Sequence, residues 1–300
     1  MRIQKIKTIS QYHQALGIPK PEHPLISLIN LDHLEPIKES ISLIFDFYTV
    51  SVKRALNTKF KYGQQEFDFD EGVMLFMKPG QVLSREVSEI KTKPSGWILS
   101  IHPDFLWNTP LAKTIKEYDF FDYSANEALH LSQKEETMII NILQSIELEY
   151  HSNLDKFSDN VIIAQLELLF NYSERFYNRQ FLTRKKANHQ ILIRLEDLLT
   201  NYFNTDASLN TGIPSVQDIA KTLNLTPNYL SSLLKVLTGK STQQHIQDKL
   251  IDKAKEILST TDLSVSEIAY QLGFDYPQSF SNLFKTKTSL SPLAFRQTFN

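Results

Sequence analysis

The spacing of hydrophobic residues along the chain changes twice, and each change marks a new kind of element. In residues 1–40, Pro19, Pro21, Pro24 and Pro36 interrupt any sustained pattern, which predicts a short helix followed by loops. From Ile41 the period is two: Leu43, Phe45 and Phe47 alternate with Ser42, Ile44 and Asp46, as in a partly amphipathic strand. Phe60 and Tyr62 run up to Gly63, and Phe67 and Phe69 follow, predicting a hairpin with its turn near residues 63–65. Val73–Met77 is a short apolar run opened by Glu71-Gly72 and closed by Pro79-Gly80. That run and Trp97–Ile101 predict buried strands. Short strands separated by frequent turns predict a small barrel or sandwich over about residues 40–105.

Past about residue 105 the period becomes helical. Ser132 followed by Glu135 reads as a capping box, and Met138, Ile139, Ile142, Leu143 and Ile146 then lie on one face. A second helix is predicted from about Ser158, with Val161, Ile162, Gln165, Leu166, Leu169 and Phe170. Two such helices either pack on the barrel or present a stripe to a second subunit, and the pattern leaves both open. Residues 181–188 are basic and lack periodicity, which places a linker there. The expected domains are therefore residues 1–180 and an all-helical 189–300.

That C-terminal part contains an internal repeat. At an offset of 49, Val216, Ile219, Ala220, Leu223 and Leu225 match Val265, Ile268, Ala269, Leu272 and Phe274. After one extra residue, Leu230, Ser231, Leu233, Leu234 and Lys235 match Phe280, Ser281, Leu283, Phe284 and Lys285. Each copy has the grammar of a helix-turn-helix. Ser215 and Ser264 cap a first helix, with Asp218 and Glu267 reaching back to them. Asn224 and Gly273 stand where that helix must end in a left-handed backbone. Thr226-Pro227 and Pro277 restart the second helix. Between the copies, Ile246, Leu250, Ala254, Ile257 and Leu258 fall on one face of a helix that no Gly or Pro interrupts. Such a connector reaches roughly 28 Å at 1.5 Å per residue. Major-groove faces on one side of B-DNA recur at about 34 Å.

From about Asn188 to Asn300 these residues resemble the AraC/XylS family of bacterial transcription regulators. The most specific stretches are Ile268-Ala269-Tyr270-Gln271-Leu272-Gly273-Phe274, Phe280-Ser281-Asn282-Leu283-Phe284-Lys285 and Ser291-Pro292-Leu293-Ala294-Phe295-Arg296. The pattern around Glu71-Gly72 and Pro79-Gly80 resembles the cupin-like sensor barrel of many members. The resemblance implies a multidomain α+β chain: an N-terminal cupin-like β-barrel with helices, then an all-α domain with two helix-turn-helix units. It implies double-stranded DNA as partner, a small-molecule effector in the N-terminal domain, an activator with RNA polymerase as a further partner, although the residues leave activation and repression both open, and a homodimer formed through the N-terminal helices. It places Asn228, Ser231, Ser232, Gln278, Ser279 and Asn282 at base-facing positions, where Asn and Gln can pair with adenine. Lys235, Lys285 and Lys287 suit phosphate contacts. The chain departs from the family at three places. Ser289 replaces a usual Gly, although the first copy keeps Gly239, and Leu250 and Asn282 stand where many members have Arg.

Composition narrows the classes further. The chain has 300 residues, 41% hydrophobic, with 19 Phe, 12 Tyr and 2 Trp, ample for two folded domains. No apolar run approaches the ~18 residues of a membrane span. Lys5, Lys7, Gln11 and His13 break up any signal-peptide core, so a cytoplasmic location is expected. The absence of cysteine excludes thiolate zinc sites and thiol nucleophiles. The net charge of −2 is uneven: residues 1–180 hold 19 basic and 24 acidic side chains, residues 181–300 hold 13 and 10. The rival class is a cupin-type metal-dependent enzyme. Residues 34–101 contain no histidine, and no phosphate-cradling loop or GxSxG elbow occurs, so no catalytic residue, metal or cofactor is expected. A protein-interaction module with an inactive DNA-binding domain is the other alternative, kept open by Asn282 and the modest basicity. Phe45, Phe47, Phe60, Tyr62, Phe67, Phe69, Phe76 and Trp97 either line an apolar ligand pocket or form packed core.

Overall fold

The computed structural model describes residues 3–34, 41–53, 56–62, 65–69, 72–85, 95–124, 127–152, 157–183, 185–205 and 211–299. The chain divides into two compact units, Met1–Gln180 and Phe181–Asn300.

The first unit is mixed α and β. Its main sheet has five strands in the order β10-β7-β4-β9-β2, with β2 Ile26–Asn30, β4 Tyr48–Lys53, β7 Val73–Met77, β9 Gly96–Ile101 and β10 Leu129–His130. All four pairings are antiparallel. Val50 lies opposite Phe76 and Leu99, and Val52 opposite Met74 and Trp97, so one face is a continuous apolar layer. The other face carries the small polar side chains Ser27, Thr49 and Ser100, all buried. Helix α1 (Ile9–Leu16) brings His13 to Ser27, with Nε2 2.7 Å from the hydroxyl and Nδ1 2.6 Å from the Pro19 carbonyl. A carbonyl only accepts, so Nδ1 donates to Pro19 and Nε2 accepts from Ser27. A second sheet joins β1 (Ile3–Ile6), β3 (Ile41–Phe45) and β8 (Val82–Arg85), and β5 (Leu56–Tyr62) pairs only with β6 (Gln65–Phe69).

The strands thus fall into three sheets among the described residues, where one closed cupin-like barrel was expected. Residues 3–34 hold two strands besides the expected short helix: Pro19, Pro21 and Pro24 lie between α1 and β2, and β2 pairs with β9 along its whole length. The expected hairpin is present as the β5–β6 pair, with Phe60 opposite Phe67, while its turn at residues 63–64 lies outside the described residues. Gly96 is dictated by packing: at φ +119°, an added Cβ would lie 2.0 Å from the Val52 carbonyl oxygen.

Helix α2 (Leu111–Thr114) comes first, and α3 (Gln133–Tyr150) begins with the expected capping box of Ser132 and Glu135. Helix α4 runs Ser158–Thr183, and α5 runs Lys185–Asn204, so the segment expected as a linker is helical on both sides of residue 184. Arg179 ties α4 to α3 through Glu135, with Nε and Nη2 donating at 3.0 and 2.7 Å, and Nη2 also donates to the His130 carbonyl.

Candidate nucleic-acid interface

The second unit builds the same motif twice. In the first copy, Val216–Leu223 is opened by a complete capping box of Ser215 and Asp218 and closed by Asn224 at φ +58°. In the second, Val265–Gln271 is opened by Ser264 and Glu267, and Gly273 adopts φ +87° just beyond its end. Asp218 and Glu267 are both held below the usual carboxylate range, first by the hydrogen bond from the capping serine's hydroxyl and then by its backbone N–H. The turns superimpose bond for bond. Leu225 N–H donates to the Ala220 carbonyl at 2.9 Å, and Phe274 N–H to that of Ala269 at 3.0 Å. The alanines, fully buried, let the next helix cross closely.

That next helix is Pro227–Thr238 in the first copy and Pro277–Thr288 in the second, each with Pro in its first turn. The Thr226 hydroxyl accepts from Tyr229 N–H, whereas Tyr276, at the equivalent cap, offers no side-chain bond. Leu230, Leu233 and Leu234 face inward in one, Phe280 and Phe284 in the other. Both pack on one connector helix, Thr242–Thr260, whose Ile246, Leu250, Ile251, Ala254, Ile257 and Leu258 are buried. Leu250, where an Arg is usual in the resembled family, is therefore a core residue, 1% exposed. Arg296 ties the last turn of the connector to the segment after it, its Nε donating to Leu258 O at 3.2 Å and its Nη2 to Leu263 O at 2.7 Å. Sequence reasoning quoted Arg296 without giving it this role.

The candidate base-facing residues divide by copy. Gln278, Ser279 and Asn282 are exposed, whereas Asn228, Ser231 and Ser232 are half-buried. The Ser231 hydroxyl lies 3.0 Å from that of Thr242 on the connector, and Asn228 and Ser232 also interact within the protein. Among the candidate phosphate contacts, Lys235 and Lys285 are exposed. Lys287 instead pairs with Asp248 of the connector at 2.8 Å, and Asp248 also holds Lys240 at 2.8 Å. Burial pushes the Asp248 carboxyl up, but the hydrogen bonds and charges of the two lysines outweigh it and hold the group below the usual range. The Asp248 hydrogen bond in turn raises Lys240. Nearby, His245 is lowered by burial and then by Lys240, and its Nε2 lies 2.9 Å from the Thr238 hydroxyl.

Of the aromatic candidates in the first unit, Phe45 and Phe47 pack with Tyr12 in a closed cluster against α1. Phe76 lines a cavity of about 220 Å³ with Phe120, Tyr123 and Tyr177. Trp97 is buried in the sheet. The side chains of Phe60, Tyr62, Phe67 and Phe69 lie outside the described residues. No group of three His, Asp or Glu able to hold a metal ion occurs among the described residues. No helix there is long and apolar enough to cross a membrane.

Residues 219–298 match a helix-turn-helix domain family, across both copies of the motif. The C-terminal unit therefore carries a helix-turn-helix domain. This domain is similar to the HTH-type transcriptional activator RhaS of Enterobacter sp. (strain 638), 32% identical over 117 residues, which is 36% of this chain and 42% of that protein. The chain thus matches less than half the length of that relative. Among solved structures, the C-terminal domain of AraT, a response regulator from Geobacillus stearothermophilus, is 30% identical over 36% of this chain and 84% of its own, with a TM-score of 0.32. ToxT from Vibrio cholerae O395 aligns over 92% of this chain and 94% of its own at 13% identity, and its TM-score of 0.31 is a loose overlay.

Proposed function

We propose that the protein is a transcription regulator that binds double-stranded DNA through both helix-turn-helix units, one recognition helix in each of two successive major grooves. The observation that carries this reading is the packing of two matched recognition helices on a single uninterrupted connector of 19 residues. That connector spans roughly 28 Å, close to the ~34 Å repeat of the groove. In this reading Gln278, Ser279 and Asn282, with Asn228, Ser231 and Ser232, read base edges, and Lys235 and Lys285 hold phosphates. Likeness to RhaS, named a transcriptional activator, supports activation as the output, and we extend the reading to RNA polymerase as a further partner and the cytoplasm as the site of action.

The first unit is assigned to sensing and dimerisation. Its apolar cavity behind Phe76 supports a small-molecule effector in a cupin-like sensor. An exposed stripe of Phe157, Val161, Ala164 and Leu168, spaced four, three and four residues apart along α4 and its start, supports a homodimer seam.

The test is selection of bound duplexes from a random pool, followed by gel-shift titration. The expected winner contains two half-sites about one helical turn apart. Gln278→Ala should weaken binding to it by ~1–3 kcal/mol while leaving random-sequence DNA unaffected. Enrichment of no sequence, or equal loss on both DNAs, overturns the assignment.

A further inference from the structure

The ion cluster on the connector sits at a particular place in this architecture. Lys240 directly follows Gly239, the left-handed residue that ends the first recognition helix. Lys287 lies in the last turn of the second. Asp248 stands in the second turn of the connector between them and gives one oxygen to each, Oδ2 to Lys240 and Oδ1 to Lys287, both at 2.8 Å. Both carboxylate oxygens are thus committed, and both lysines point back to the connector. A surface ion pair contributes little to stability, and the Asp248 side chain is about one-third exposed. Its consequence is therefore better sought in where it puts charge. Lysines contribute to DNA affinity mainly as sequence-independent phosphate contacts. A carboxylate that occupies two of them at the ends of the recognition helices removes that contribution, while Lys235 and Lys285, exposed in the last turns of the same helices and not paired with Asp248, keep theirs.

We propose that Asp248 is a specificity-determining residue, a clamp that fastens the ends of both recognition helices to the connector and withholds Lys240 and Lys287 from DNA phosphates. The clamp restrains non-specific affinity and leaves discrimination to base contacts. This inference rests on the DNA-binding reading given above. It also reassigns Lys287 from phosphate contact to structural partner.

The experiment measures binding of the full chain to a random-sequence 30-base-pair duplex between 50 and 200 mM KCl. Each phosphate contact adds about 0.9 to the slope of log affinity against log salt. Lys285→Met should flatten the slope by about 0.9, and Lys287→Met should leave it unchanged. Asp248→Asn should steepen it by about 0.9 to 1.8 and raise low-salt affinity several-fold, because one or both lysines turn to phosphate. A flattened slope in Lys287→Met, or an unchanged slope in Asp248→Asn, overturns the clamp. If the wild-type chain binds no DNA at any salt, the regulator reading fails instead, and the clamp is then judged without DNA. There, carbon-13 titration should find the Asp248 carboxyl below the usual range in the wild type and back within it in Lys240→Met/Lys287→Met. A carboxyl at its ordinary value in the wild type overturns the clamp by that route.

Discussion

Ser289 closes the second recognition helix in a left-handed backbone, φ +63° and ψ 3°, and the matching residue of the first copy is Gly239 at φ +74° and ψ 3°. The two positions share one conformation with two different residues, so the molecule contains its own control. An L-residue in that region pays roughly 1–2 kcal/mol of steric strain. Glycine relieves this but gives back ~0.5–1 kcal/mol through its more flexible unfolded chain. Ser289→Gly should therefore stabilise the second unit by about 0.5–1 kcal/mol. Gly239→Ser should destabilise it by a similar amount, since a Cβ there meets nothing within 4 Å and only backbone strain changes. With a urea dependence of about 1.5 kcal/mol per molar, each change moves the midpoint by roughly 0.5 M, in opposite directions. The two tryptophans, Trp97 and Trp107, both lie in the first unit. Their fluorescence follows that unit, while loss of far-UV ellipticity is dominated by the helices of the second. The expected result is a displaced ellipticity transition over an unmoved fluorescence transition. A Ser289→Gly variant no more stable than wild type would refute the strain argument.

Other consequences are equally direct. Arg296→Met removes two charge-assisted hydrogen bonds, one to the Leu258 carbonyl in the connector's last turn and one to the Leu263 carbonyl beyond it, and should cost about 2 kcal/mol, read as a lower urea midpoint. Arg296→Lys should recover only part of this, because one ammonium replaces the planar fork poorly. The lowered carboxyls of Asp218 and Glu267 contribute stability that is present above their unfolded values of about 4 and lost as pH falls through their folded values. Asp218→Asn with Glu267→Gln should therefore flatten the acid limb of a stability–pH curve below about pH 4.5. Because Tyr276 supplies no side-chain cap, the first-turn amides of the second recognition helix should exchange hydrogen faster than those of the first, and Tyr276→Thr should slow them.

The second unit was far more legible in the sequence than the first, and the reason is local. A capping box, a left-handed residue and a helix-starting proline each act within four residues, so Ser215, Asn224 and Thr226-Pro227 could be placed without knowing any distant partner. Repetition then doubled the signal. Sheets depend on pairing across long separations, and nothing near Ile26 announces that β9 will lie beside it seventy-odd residues later. The parallel pairing of β1 with β3 is of the same kind. The site was legible as a set of positions and less so as a set of functions. Ser231 looked equivalent to its neighbours on the polar face, but its hydroxyl meets Thr242. Lys287 looked like any terminal lysine until Asp248, 39 residues away, was found against it.

The two copies have diverged in a direction that bears on which one reads sequence. In the first, the candidate polar residues are half-buried and engaged, the helix start is capped by Thr226, and its end is a relaxed glycine. In the second, Gln278, Ser279 and Asn282 are exposed, the start lacks a side-chain cap and the end carries a strained serine. A side chain already hydrogen-bonded inside the protein must exchange that bond before it can meet a base, which offsets most of the gain. An exposed one exchanges only water. By that reasoning the larger share of base discrimination falls to the second helix, and the first acts more by position and by the charge of Lys235. Half-site mutations in a selected duplex should then be costlier under Pro277–Thr288 than under Pro227–Thr238, and equal cost would place the reading face on both copies alike.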